Sequence, residues 1–332
     1  MDSSRELRLS LKNKLKLRND RSMLRILKSN THLADFSSND YLGLAKNESL
    51  MNNIKLASAN ILQNGSTGSR LLTGHSQHAE DLEFFLAQFH KSEDALLFNS
   101  GFDANYGLFS CIMTEKDGII YDELIHASVH EGMRASKSKY QKSFQHNDVE
   151  SLITQIQEFK KINNDGHLFI AVESIYSMDG HVSKLEEMIN AVKNYKNCHF
   201  IVDEAHSTGI LGPQGRGLVS ELKLESQVLA RVHTFGKALG SHGEKFRGSL
   251  CDLPNGILLE SDTPIQGVLV PERYQLDVRP IRSPTVPKGE ERIRICLHSH
   301  NTDSEIDLLT NSIKTLILNS YVSNTNAISA RL

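Results

Sequence analysis

Asp203 closes the apolar run Cys198-His-Phe-Ile-Val202, and His206 follows three residues on. Lys237 sits in Thr234-Phe-Gly-Lys, just past the run Val228-Leu-Ala-Arg-Val-His. A carboxylate, an imidazole and an amine are thus offered at the ends of successive predicted strands, where open α/β sheets bind ligands. An aldehyde cofactor built on a pyridine ring needs these three kinds of group. A lysine forms the Schiff base, an acid keeps the ring nitrogen protonated, and a hydrogen-bonding group stands beside the ring hydroxyl. Lys237 lies between Gly236 and Ala238, small neighbours that leave room for a planar ligand. A buried lysine also has the lowered pKa that an imine-forming amine requires. Asp203 and His206 could instead share a metal, but no third ligand is apparent near them in sequence, so no metal site is expected.

Three further strings carry chemistry-bearing residues. Asn99-Ser-Gly101-Phe102-Asp-Ala-Asn105 follows an apolar run and opens a predicted helix. Free N–H groups at such a helix start suit an anion, although a one-glycine turn from strand to helix is also commonplace. Tyr121-Asp-Glu-Leu-Ile-His126 offers an imidazole after a strand, either structural or able to stack on an aromatic ligand. Glu173-Ser-Ile-Tyr-Ser177-Met-Asp-Gly180 reads by itself as a polar loop with an Asp-Gly turn.

The elements that must position these residues follow from periodicity. Leu7, Leu11, Leu15 and Leu17 predict an amphipathic helix within residues 1–30. A turn-rich segment over 35–44 leads to a helix over 50–62 and a glycine-dense loop over 64–74. Helices are then expected at 78–89, from 103, from 128, at 149–159 and at 184–193. Strands are expected at 95–98, 118–121, 167–172, 199–202 and 231–235. Strands regularly separated by helices imply crossover connections and a mainly parallel, doubly wound sheet. After Gly256 the pattern changes to apolar runs at 257–260, 267–270 and 292–297 and a helix over 305–318, a smaller α+β domain. The expected division is 1–45, 46–243 and 244–332.

The chain has 332 residues, with 37 Lys plus Arg against 40 Asp plus Glu. That balance gives no case for a nucleic-acid partner. No run approaches the ~20 apolar residues that span a bilayer, and the first residues lack the apolar stretch of a secretion signal. A cytoplasmic protein without membrane association is expected. Cys111, Cys198, Cys251 and Cys296 are far apart, which predicts neither a disulfide framework nor structural zinc.

The strings Asn99-Ser-Gly-Phe, Asp122-Glu-Leu-Ile-His-Ala-Ser, Glu173-Ser-Ile-Tyr-Ser-Met-Asp-Gly, Val202-Asp-Glu-Ala-His-Ser-Thr-Gly and His233-Thr-Phe-Gly-Lys-Ala-Leu-Gly occur in this order. Together they resemble the α-oxoamine synthases, over about residues 18–318. That family consists of fold-type I, pyridoxal-phosphate-dependent transferases that condense an amino acid with an acyl-CoA thioester and release carbon dioxide. The strings Phe36-Ser-Ser-Asn-Asp-Tyr-Leu-Gly-Leu and Ser283-Pro-Thr-Val-Pro-Lys-Gly are most similar to the branch that joins L-alanine to a pimeloyl thioester in biotin synthesis. Glycine acetyltransferases are the nearest alternative, and a non-catalytic dimerising paralogue is an alternative of another class.

The resemblance implies that Lys237 carries pyridoxal 5'-phosphate and that Asp203 pairs with the pyridinium nitrogen. It implies His206 at the ring hydroxyl, His126 stacked on the ring and Ser177 beside it. The phosphate would be held at Gly101, Phe102 and the Thr234 hydroxyl. Arg294 would receive the substrate carboxylate, Asn39 would lie in the substrate site, Arg25 would lie near the acyl substrate, and the protein would be a homodimer. Two family segments have no counterpart here, after Gly243 and after Pro271, and the sequence resumes in register with the family beyond each.

Overall fold

In the computed structural model, residues 3–21, 23–24, 26–27, 33–58, 65–240, 265–268, 279–281, 285–286 and 292–312 are described. The chain separates into two compact units, Met1–Ala34 and Asp35–Leu332. The first contains α1 (Ser3–Asp20), the helix that the leucine spacing predicts.

In the second unit, α2 (Glu48–Ser58) and α3 (Gln77–His90) precede the sheet. Helix α3 starts where the Ser76 hydroxyl accepts from the Ala79 N–H, and it ends at Lys91 in the left-handed region, with φ 51°. The alternation then runs α4 (Gly101–Cys111), β1 (Gly118–Asp122), α5 (Ala127–Ala135), β2 (Tyr140–Phe144), α6 (Val149–Ile162) and β3 (Leu168–Glu173). It continues through α7 (Leu185–Val192), β4 (Cys198–Asp203), α8 (Leu218–Glu221) and β5 (Val228–Val232). The five strands form one parallel sheet in the order β2-β1-β3-β4-β5.

Alternating side chains send the two faces of this sheet into two cores. Ile120, Ile170, Val172, Phe200 and Val202 pack with α6 and α7, whereas Ile119, Phe169, Ala171 and Ile201 pack with α4 and α5. Helices on both faces explain why β3 is buried along its whole length. Each fully buried Leu, Ile or Phe contributes about 1.5–3 kcal/mol, and such residues are densest in β3 and the second half of β4.

The structure corrects the sequence reading in three places. Residues 95–98 form no strand: the Leu97 N–H is taken by Glu83 Oε1 at 2.6 Å rather than by a ladder partner. Strand β2 was not expected, because Tyr140-Gln-Lys-Ser-Phe lacks an apolar alternation; as an edge strand it needs none. Strand β5 ends at Val232, which leaves His233, Thr234 and Phe235 in the loop that leads to Lys237.

The C-terminal part supplies a separate antiparallel sheet in the order β6-β8-β7, from β6 (Ile265–Val268), β7 (Arg279–Ile281) and β8 (Arg292–Cys296). Residues 303–312 are helical. The run expected at 257–260 and the positions following Gly243 and Pro271 lie outside the described residues. Among the described residues no helix is long and apolar enough to cross a membrane.

Candidate active site

The carboxyl ends of β3, β4 and β5 lie side by side along one edge of the parallel sheet. Parallel register pairs Glu173 with Asp203 and Asp203 with Val232, so two carboxyl groups stand side by side on neighbouring strands. Burial first, and the charge of Asp203 second, hold the Glu173 carboxyl well above the usual range. Its Oε2 accepts from the Ser177 N–H at 3.2 Å, and its Oε1 has no partner among the described residues.

Asp203 is fixed from two sides. Its Oδ1 accepts from the Ala205 N–H at 2.9 Å, and its Oδ2 accepts from the Asn105 amide on α4 at 2.7 Å. The same amide donates to Ser128 Oγ at 3.0 Å. Ser128 Oγ in turn lies 2.7 Å from His126 Nδ1, which also accepts the Ser128 N–H as the cap of α5. Burial is the main cause that lowers the His126 pKa, opposed by Asp203 and aided by Lys237. His126 is therefore a neutral ring whose Nδ1 is used as an acceptor.

Lys237 Nζ lies 2.9 Å from His206 Nε2. Burial lowers the pKa of the amine, while the carboxylates Asp203 and Glu173 oppose the shift. Burial, then the charges of Lys237 and Arg294, push His206 well below the usual imidazole range. A neutral imidazole donates from one nitrogen and accepts at the other. With Lys237 donating to Nε2, Nδ1–H donates to the Tyr41 hydroxyl oxygen at 2.8 Å. The Tyr41 O–H donates to Asn39 Oδ1 at 3.3 Å, and that oxygen also accepts from Arg294 Nη2 at 3.1 Å. One continuous hydrogen-bonded path thus joins the amine to a guanidinium brought in by β8. Arg294 Nη1 also donates to the Ser177 carbonyl at 3.2 Å.

A second cradle lies at the start of α4, whose first N–H groups have no helical partner. A Cβ on Gly101 would stand 2.3 Å from Thr234 Cγ2, so glycine is what lets the helix start approach that loop. The Thr234 hydroxyl donates to the Ala205 carbonyl at 3.1 Å, and holding an anion requires it to turn from that carbonyl.

Residues 31–246 match the family model described as aminotransferase class I and II. The 8-amino-7-oxononanoate synthase of Emericella nidulans is 36% identical, with 95% of this chain and 97% of the relative covered. The chain is an α-oxoamine synthase of the class I and II aminotransferase family. The aminoacyl transferase sphA of Byssochlamys spectabilis is 31% identical, covering 84% of this chain and 80% of its own length. A solved serine palmitoyltransferase with its PLP internal aldimine matches the fold with a TM-score of 0.77 at 20% identity, over 92% of this chain and 96% of that one. The Emericella alignment runs over 404 residues against a chain of 332, so that relative carries residues with no counterpart in this α-oxoamine synthase.

Of the residues expected in an α-oxoamine synthase site, Lys237, His206, Asn39, Arg294 and Ser177 share one run of contacts, and Asp203 and His126 share another through Asn105 and Ser128. Gly101, Phe102 and Thr234 form the cradle. Arg25 lies outside the described residues. Sequence reasoning gave no role to Tyr41, Asn105, Ser128 or Glu173, although each lies inside one of the strings it singled out. The donor set fits a phosphorylated pyridine aldehyde: an amine of lowered pKa, a carboxylate held in place by two donors, an orphaned buried carboxyl oxygen at Glu173, and a cradle that a Cβ would fill.

Proposed function

We propose that this site binds pyridoxal 5'-phosphate and carries out the 8-amino-7-oxononanoate synthase reaction of biotin synthesis. In that reaction L-alanine condenses with a pimeloyl thioester, on coenzyme A or a carrier protein, and carbon dioxide is released. The observation that supports the reading is Lys237 Nζ standing 2.9 Å from the buried His206, with the buried Asp203 at the end of β4 oriented by Asn105. The cofactor, when bound, supplies an electron-accepting ring that acidifies the amino-acid Cα–H and takes up the electrons left by a departing carboxylate.

The chain's own residues do the rest. Lys237 would hold the cofactor through its amine and is the group that would move the proton at the substrate Cα. Asp203, oriented by Asn105 and the Ala205 N–H, keeps the ring nitrogen protonated. His206 is presented to the ring hydroxyl with its tautomer fixed by Tyr41. His126 would cover one face of the ring, and Ser177 would lie beside it. Gly101, Phe102 and Thr234 hold the phosphate, and Arg294 with Asn39 receives the substrate carboxylate.

The same proposal includes a cytoplasmic homodimer and the division 1–45, 46–243 and 244–332. Support for the dimer comes from exposed apolar side chains in two places: Leu71, 98% exposed, and Leu72, 83% exposed, before α3, and Phe98, Phe102 and Tyr106 around the first turns of α4. A surface of this kind marks an interaction site.

Full-length protein mixed with pyridoxal phosphate is expected to gain a visible absorbance band that borohydride fixes on Lys237, and Lys237→Ala is expected to show none. Loaded enzyme is then assayed with L-alanine and pimeloyl-CoA against glycine and acetyl-CoA. Wild type without the band overturns the reading. Turnover of only the second pair assigns the chain to the glycine branch, and a band without any turnover marks a non-catalytic relative.

A further inference from the structure

The mechanism leaves unused a cluster on the other side of the Ser177 turn. Ligand atoms of His146, Asp179 and His181 all lie within 4.8 Å of one another. His146 Nε2 is 3.0 Å from His181 Nδ1, and Asp179 Oδ2 is 3.3 Å from that same nitrogen. Donors around a tetrahedral zinc stand roughly 3.3 Å apart, given metal–ligand distances near 2.0–2.1 Å. A single proton on His181 Nδ1 can serve only one of its two acceptor neighbours well, whereas a cation between the three serves them all.

The surroundings hold the donors in place. His146 Nδ1 is 2.9 Å from Asp122 Oδ1. Asp122 is fully buried, and its other oxygen accepts from the Asn147 N–H at 2.9 Å. Asp122 thereby fixes the Nδ1–H tautomer of His146 and leaves Nε2 as a lone-pair donor. This carboxylate–histidine relationship is the one that orients metal-binding imidazoles.

The other two donors sit on a short closed turn. An Ile175–Val182 bridge pins its base, and Tyr176 N–H donates to the His181 carbonyl at 2.9 Å. Gly180 takes φ 80°, a conformation that favours glycine. Asp179 Oδ1 accepts from the His181 N–H at 3.2 Å, which leaves Oδ2 for the cluster. Asn147 ties this turn to the loop of His146, its amide donating to the Val182 carbonyl at 3.0 Å.

We propose that His146, Asp179 and His181 form a binding site for a divalent cation of the zinc class, with Asp122 as the positioning carboxylate behind His146. Two imidazoles and one carboxylate suit zinc or its late transition-metal neighbours and not magnesium or calcium. The His181 side chain is 59% exposed, so the fourth position opens to solvent. An occupied site would clamp the turn that carries Ser177, whose carbonyl holds Arg294. The inference stands on this cluster alone and does not depend on the cofactor reading.

The test is zinc titration of chelator-stripped, full-length protein by calorimetry, with metal analysis after desalting and a thermal melt with and without zinc. Variants are His181→Ala and, as a control in a separate exposed histidine pair, His167→Ala. One equivalent of zinc and a raised melting temperature are expected for wild type and His167→Ala, with excess magnesium unable to compete. His181→Ala should bind at least about tenfold more weakly. Equal zinc affinity in wild type and His181→Ala overturns the proposal, as does no zinc retained by wild type. Loss in His167→Ala with retention in His181→Ala moves binding to the other pair and overturns it equally.

Discussion

The Tyr41 hydroxyl lies 2.8 Å from His206 Nδ1, joining the turn-rich segment before α2 to the loop after β4 across 165 residues of sequence. It sets which nitrogen of His206 faces Lys237. Tyr41→Phe leaves that Nδ1–H buried without an acceptor, at a cost of about 1–3 kcal/mol. The expected outcome is a kcat about tenfold to a hundredfold lower with KM little changed. Steady-state kinetics check this, together with a shift in the pH dependence of the visible band.

Asn105 is the only side chain among the described residues that donates to Asp203 Oδ2. Asn105→Ala should weaken cofactor affinity by about tenfold or more, because hydrogen bonds to charged groups are worth ~1.5–3 kcal/mol. An absorbance titration with pyridoxal phosphate measures it.

Gly101→Ala places a methyl group 2.3 Å from Thr234 Cγ2. The Thr234 loop must then move away from the start of α4. Affinity for pyridoxal phosphate should fall by more than affinity for pyridoxal, which lacks the phosphate. Parallel titrations with the two compounds give the ratio.

Glu204 is fully buried, and burial raises its pKa to about 7, against the bonds from Val219 N–H and Ser207 and the charge of Arg231. The unfolded carboxyl ionises near 4.5, so between these values the folded protein binds more protons. Its contribution is complete below about 4.5 and is lost as pH rises through about 7, a change on the order of 3 kcal/mol. The stability of wild type relative to Glu204→Gln should therefore fall between about pH 4.5 and pH 7, a difference that separates Glu204 from the buried histidines His90, His206 and His233, whose lowered pKa acts in the opposite sense. Denaturant unfolding at several pH values checks the slope.

Strand ends were legible in the sequence because β3 and β4 are buried on both faces and read as unbroken apolar runs closed by a polar residue. The residues at those ends, Asp203 and Glu173, could be placed at the pocket rim from this alone. What they touch could not. Asn105 sits on a helix whose rotation decides whether its amide meets Asp203 or solvent, and Tyr41 lies in a segment without periodicity. Strand β2 escaped notice for a related reason: an edge strand covered on one side keeps polar residues, and its pairing with β1 is a property of the sheet rather than of its five residues. The segment at 95–98 erred in the opposite sense, since its apolar side chains resemble a strand while its backbone is satisfied by the Glu83 carboxylate.

The side-by-side pairing of Glu173 with Asp203 has a consequence for the protein's lifetime. The charge of Asp203 is one cause that keeps the proton on the buried Glu173 carboxyl, and a cationic ring seated against Asp203 would offset that buried charge. Anything that binds only the folded form deepens its stability, and proteolysis of transiently opened chains follows that stability. Unloaded copies should therefore be degraded first, so that protease resistance would report how much of the chain is loaded.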